Sequence, residues 1–162
     1  MRRTPLPVTV HTVTARSPTL PTENEWYKAA YYNGTISTYS QYPDGRNDIT
    51  HADANYSDPG QQGKGMLVNV NYGTPSSYGV YGMGGNCYQW NDVVAFGSDR
   101  GLRGGHFGTL ASNIASSYSN TYVVPSNESS GFGFRVASLV PEPSSVALAI
   151  FGSGMMLTRR RR

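Results

Sequence analysis

Apolar and polar positions recur with two different periods along the chain, and each period marks a different kind of element. Between residues 22 and 32, Trp26, Ala29 and Ala30 recur at helical spacing and Tyr27 stands one turn before Tyr31, which predicts a helix over 22–32. Its start is legible in Thr22-Glu23-Asn24-Glu25. The threonine hydroxyl can accept a backbone N–H from the first turn while Glu25 reaches back to the threonine's own N–H, a capping box. Glu23 and Glu25 also sit where the helix dipole favours negative charge. Asn33-Gly34 supplies the stop. Near the other end, Gly131–Ala137 has period two: Phe132, Phe134 and Val136 alternate with smaller or polar residues, which predicts a half-buried strand closing the domain. Two more strands are expected within residues 83–107, in the segments around Gly85–Asp92 and Arg100–Phe107, each flanked by glycine turns. A short strand is expected at 66–70.

The rest of the pattern is irregular. Residues 1–19 form an irregular lead-in, 34–82 are rich in Tyr, Gly, Ser, Asp and Pro, and 138–143 form a linker. Composition agrees: 38% of residues are hydrophobic, 14% are charged, and there are 19 glycines and 12 tyrosines among 162 residues. That profile predicts a loop-rich α+β domain, not a helical bundle. The tyrosines can fill an irregular interior or offer a face on which sugar rings stack. Trp26 and Trp90 are expected in the core. The single cysteine, Cys87, excludes an intramolecular disulfide and a thiolate cluster and is expected to be a small buried hydrophobe. His11, His51 and His106 lack metal-ligand spacing.

Charge changes the picture at one place only. Four of the basic residues are Arg159, Arg160, Arg161 and Arg162; without them the net charge of +3 becomes −1. A near-neutral body lacks the basic stripe that nucleic acid requires, so no nucleic-acid partner is expected. The arginines follow an apolar stretch, Val146–Leu157, and the proline-interrupted segment Val140-Pro141-Glu142-Pro143. The prolines keep that segment extended, the apolar stretch can form a short membrane helix if its flanks are included, and the arginines hold its end on the cytoplasmic side. This three-part tail, over 139–162, resembles a bacterial PEP-CTERM sorting signal. The resemblance implies an exosortase-type processing enzyme as partner, transient anchoring in the inner membrane, and then the cell surface or extracellular matrix. Met1-Arg2-Arg3 is not followed by the apolar run of an export signal.

Between lead-in and tail, Leu20-Pro21-Thr22-Glu23-Asn24-Glu25-Trp26, Gly85-Asn86-Cys87-Tyr88-Gln89-Trp90, Arg103-Gly104-Gly105-His106 and Gly133-Phe134-Arg135 occur in order. They resemble the recurring segments of the formylglycine-generating enzyme family, the sulfatase-modifying-factor domain, over residues 20–138. The resemblance implies a C-type-lectin-like fold with long loops, few helices and a small antiparallel sheet. It also implies a domain that normally carries a preceding segment, which residues 1–19 cannot supply. Active members oxidise a substrate cysteine with a copper-binding cysteine pair between the second and third of the last three segments. Here that interval holds none, and ungapped counting puts Ile114 and Ser119 near the pair. Neither can hold Cu(I), so copper and the oxidase activity are not expected. The family's calcium positions fall on Asn86 and Gln89, weakened because Gln89 replaces a carboxylate, and on Asn55 with Asp58 nearby. The reading is an exported, non-catalytic binding or structural module whose ligand is a polysaccharide or surface protein. Two alternatives stand beside it: an enzyme with altered chemistry at His106 or at a metal on Asn86, and a truncated gene product without independent function. Arg103 and Arg135 are expected to pair structurally with carboxylates or carbonyls.

Overall fold

The computed structural model describes residues 17–60, 63–119 and 121–138. Val140, Pro141, Glu142, Pro143 and Arg159–Arg162 lie outside the described residues, as does the apolar helix expected between them. Among the described residues, no helix is long and apolar enough to cross a membrane.

The compact unit runs from Thr19 to Ala137. Helix α1 spans Glu23–Tyr31 and begins with the expected capping box: the Thr22 hydroxyl accepts from the Glu25 N–H, and the Glu25 carboxylate accepts from the Thr22 N–H at 2.8 Å. That bond holds the Glu25 carboxyl below its ordinary range. Strands β1 (Tyr32–Asn33) and β2 (Thr38–Tyr39) form a small hairpin after the helix. The main sheet contains β3 (Tyr88–Ala95), β4 (Asp99–Arg103), β5 (Thr121–Val123) and β6 (Phe132–Phe134), in the order β5-β4-β3-β6. A single 3₁₀ turn, Ala111–Asn113, precedes Ile114.

Trp26 lies in the core as expected but Trp90 is only partly buried, and three features of the strands also differ from the sequence expectations. The sheet is mixed, because β6 pairs with β3 in parallel while β3, β4 and β5 are antiparallel. Residues 66–70 form no strand. The Asn86 side-chain amide takes the place of a neighbouring strand there, bonding the Val68 N–H at 2.8 Å and the Val68 carbonyl at 3.1 Å. Finally, the apolar alternation at the C-terminal strand faces outward: Phe134 and Val136 are 70% and 63% exposed. They rim an open groove with Pro21, Trp26 and Met83 instead of entering the core.

The core has two parts. On the helix side, Trp26, Ala30, Tyr31 and Met83 pack together; on the loop side, Tyr42, Ala54, Tyr56, Ile114 and Ala115 do so. The Tyr31 hydroxyl links them by donating to the Ile114 carbonyl at 2.7 Å, and its burial pushes its ionisation far up. The tyrosines divide by burial: Tyr31, Tyr42, Tyr56 and Tyr88 are buried, as interior filling expects, whereas Tyr39 and Tyr78 are half exposed.

Candidate functional site

The residues singled out in the sequence fall into three places. The first joins α1 to the sheet. Arg103, at the end of β4, donates to Glu23 from Nε at 2.7 Å and forms an ion pair with it at 2.5 Å. It also bonds the Tyr118 carbonyl and stacks over the Tyr27 ring. Asn91, fully buried on β3, donates to the second oxygen of Glu23. Beside this, Gln89 accepts from the Trp26 indole at 2.9 Å and from Arg135 Nε at 2.6 Å, while its amide bonds the Gly82 carbonyl. Arg135 also bonds the Tyr81 carbonyl. Arg103 and Arg135 therefore have the structural pairings expected of them. What reasoning from sequence missed is the pairing itself, Arg103 with Glu23 and Arg135 with Gln89, because these pairs are 80 and 46 residues apart in the chain; Asn91, bonded to Glu23, was not singled out at all.

The second place is the meeting of Asn55 and Asn86. Gly85 is in the left-handed region at φ 69°, and a side chain there would drive its Cβ to 2.3 Å from the Asn55 carbonyl oxygen. Only glycine admits this approach, which forms a parallel bridge between Asn55 and Gly85. Asn86 follows at φ 66°, a conformation asparagine tolerates better than most residues. Its N–H donates to the Asn55 carbonyl at 2.7 Å, and its Oδ1 accepts from Asn55 Nδ2 at 3.3 Å. Asn55 Nδ2 also bonds the Met66 carbonyl, and Asn55 Oδ1 accepts from the Lys64 N–H at 3.1 Å. The structure thus brings Asn55 and Asn86 together and places Gln89 elsewhere, in the Trp26–Arg135 set.

A calcium ion needs several oxygen ligands, most of its affinity coming from carboxylates. The side-chain oxygens of Asn55 and Asn86 are neutral and already accept N–H groups, and Gln89 belongs to another set. Among the described residues, no three His, Cys, Asp or Glu side chains form a group that could hold a metal ion. This donor set does not fit a hard dication. Direct amide bonds join the loops there.

The third place is the interval where copper thiolates would stand. Ile114 is fully buried in the loop-side cluster, touching an apolar environment built by Tyr42, Ala54, Tyr56 and Ala115, whereas Ser119 is exposed. One position is core and the other is surface, and neither carries a thiol, so these residues do not fit Cu(I). Cys87 is half-buried against Gly133, and burial raises its thiol pKa above the ordinary value. A protonated thiol is a poor nucleophile and metal ligand.

His106 organises a turn. Its N–H donates to the Thr109 hydroxyl at 2.9 Å, that hydroxyl donates back to its carbonyl, and its Nδ1 accepts from the Gly108 N–H at 2.9 Å. The ring packs edge-on against Tyr88 and Phe107. Burial lowers its pKa below 6.5.

Residues 13–140 match the family model described as the sulfatase-modifying factor enzyme 1-like domain. Solved structures similar to this chain include the following three. Variable protein 1 of Treponema denticola is 27% identical with a TM-score of 0.62, over 76% of this chain and 48% of that one. CarF is 25% identical with a TM-score of 0.59, over 74% and 46%. PvdO from Pseudomonas aeruginosa is 20% identical with a TM-score of 0.59, over 76% and 53%, and shows the fold alone. The chain spans about half the length of these structures. No curated protein matches it. With the family model covering most of its length and the same fold in these structures, the chain belongs to the sulfatase-modifying factor enzyme 1-like domain family.

Proposed function

We propose that this chain is a non-catalytic binding or structural module of its family, displayed at the bacterial surface or in the extracellular matrix. The observation that carries this reading is Ile114. It fills with core hydrocarbon a position near which the resemblance puts a copper thiolate, and it is 0% exposed. A chain that has built its hydrophobic core through that position has given up the chemistry there. One similar structure is itself named a variable protein, which agrees with the reading.

The tail supports the address. Val140–Pro143, the apolar stretch and Arg159–Arg162 would first hold the chain in the inner membrane, the apolar stretch as a short helix, and then present it to an exosortase-type enzyme. Its ligand is a polysaccharide or a surface protein, met by the exposed tyrosines Tyr39, Tyr78, Tyr81 and Tyr122. No nucleic acid, copper or calcium enters this function.

The test is oxidation of a cysteine-containing peptide by the purified full chain in the presence of Cu(I) and oxygen. The expected result is no conversion of cysteine to formylglycine above the protein-free rate. Turnover that depends on the protein would overturn the proposal.

A further inference from the structure

Asn33-Gly34 stands at the head of the β1–β2 hairpin, with chemistry that neither the fold nor the proposed function uses. Asn33 is the only asparagine in the chain followed by glycine. A glycine puts no side chain between its own amide nitrogen and the carboxamide of the residue before it. That nitrogen can attack the Asn33 side-chain carbonyl carbon and close a succinimide ring.

The structure leaves this reaction open and assists it. Asn33 makes the last ladder pair of the hairpin, with Thr38, and residues 34–37 form an exposed loop. Gly34 lies past that pair, and among the described residues its N–H donates to no carbonyl in a turn or loop. Asn33 Oδ1 accepts from the Thr35 N–H at 3.0 Å. That bond encloses the Asn33–Gly34 peptide, so the carboxamide is folded back over the peptide instead of extending into solvent. It also draws electrons from the carbonyl carbon. In the tetrahedral intermediate Oδ1 carries the negative charge, and the Thr35 N–H already stands where that charge develops.

The chain supplies its own comparison at Asp44-Gly45. There too a side-chain oxygen accepts from the N–H two residues on, that of Arg46, at 3.2 Å. The group is a carboxylate, however, ion-paired with Arg46 at 2.8 Å, and the side chain is 2% exposed. An ionised carboxylate is a poor electrophile, and ring closure would require it to lose hydroxide. The Asn33 amide loses neutral ammonia instead, from a loop that water reaches.

We propose that Asn33 is a site of spontaneous covalent modification, deamidating through a succinimide with Gly34. The Gly34 nitrogen gives its proton to solvent and bonds to Asn33 Cγ. The bond from Cγ to the amide nitrogen breaks, and that nitrogen takes a proton and leaves as ammonia. Water then opens the ring. Opening at the side-chain carbonyl gives aspartate, and opening at the main-chain carbonyl gives isoaspartate. One water is taken up, one ammonia is released, and nothing is oxidised or reduced. Either product places a new carboxylate at the head of the hairpin that carries the half-exposed Tyr39. Isoaspartate also lengthens the main chain by one carbon at the last ladder pair, which puts the two-residue register out of step.

The experiment holds the purified full chain, folded, in mildly alkaline buffer for days and maps it with trypsin and tandem mass spectrometry. The tryptic peptide Ala29–Arg46 contains both Asn33 and Asp44. Isoaspartate is scored with an isoaspartyl methyltransferase. Gly34→Ala is the comparison variant, because a Cβ there would meet nothing nearer than Tyr32 at 3.8 Å and the loop accepts it. The expected result is conversion of Asn33 to aspartate and isoaspartate, no isomerisation at Asp44, and conversion several-fold slower in Gly34→Ala. An Asn33 amide that stays intact in the folded chain overturns the proposal, and the urea-unfolded chain then shows whether the fold or the sequence protects it. Conversion that Gly34→Ala leaves unchanged, or equal conversion at Asp44, overturns it as well.

Discussion

On the helix side of the domain, α1 is fastened to the sheet by charge: Glu23 meets Arg103 and Asn91, with little of either charged side chain reaching solvent. On the loop side, the long segments before and after residue 66 are fastened by neutral amides, Asn55 and Asn86, with no charged side chain in the bond set. The two fastenings fail differently. Removing one member of a buried ion pair leaves an uncompensated charge, whereas removing one amide leaves only neutral polar groups without partners. The charged fastening is the stiffer and less forgiving of the two, and it stands beside the more regular part of the fold. The amide fastening closes irregular loops through direct hydrogen bonds.

Arg103→Met gives the largest effect. It strands the Glu23 carboxylate and frees the Tyr118 carbonyl, so unfolding by urea should show a loss of about 3 kcal/mol. The double variant with Glu23→Leu should recover part of that loss, because it removes the orphaned charge. Equal destabilisation of the single and double variants would mean that Arg103 acts through packing on Tyr27 instead.

Asn86 gives the next effect. Asn86→Gly keeps the left-handed backbone and deletes only the amide, at a cost of about 1–3 kcal/mol. Asn86→Ala adds the strain of a left-handed L-residue, about 1 kcal/mol more. If the clasp is metal-free, neither calcium nor a chelator shifts the wild-type melting temperature. A melting temperature that rises with calcium and loses that rise in Asn86→Gly would turn the clasp into a cation site.

This contrast also explains what could be read in the sequence. Helix α1 was legible because its signals are local: Thr22 and Glu25 are three residues apart, and the capping box forms as their spacing requires. The two strands expected around Gly85–Asp92 and Arg100–Phe107 were legible in part: they run Tyr88–Ala95 and Asp99–Arg103, the second ending where Gly104 and Gly105 turn left-handed. The clasp was not, since Asn55 and Asn86 lie 31 residues apart and nothing in either neighbourhood names the other. The one available signal was Gly85-Asn86, a pair suited to consecutive left-handed residues, which predicts a tight approach but not its partner. Gln89, which the family resemblance joins to Asn86, stands apart from it because Trp26 and Arg135 draw its side chain to the helix side. The outward Phe134 and Val136 show a further limit: period two gives alternation, but which face meets the core depends on neighbours elsewhere in the chain.

The smallest expected effect separates the two sides by pH. His106 belongs to the loop side, and burial holds its folded pKa below the ordinary 6.5. The unfolded chain then takes up a proton before the folded one does. The stability this group contributes is complete above 6.5 and is lost as pH falls from there through the folded value. Glu25 belongs to the helix side, and its bond from the Thr22 N–H lowers its folded pKa below 4.5. Its contribution is complete above 4.5 and is lost only as pH falls from there through its own folded value. Urea midpoints measured downward from neutral pH should therefore decline first through the histidine, with a slope of at most about 1.4 kcal/mol per pH unit. His106→Asn should flatten that first decline and leave the later one intact, whereas Glu25→Gln should do the reverse. If His106→Asn leaves the slope just below 6.5 unchanged, burial is not what depresses the imidazole, and the turn it organises is open to solvent.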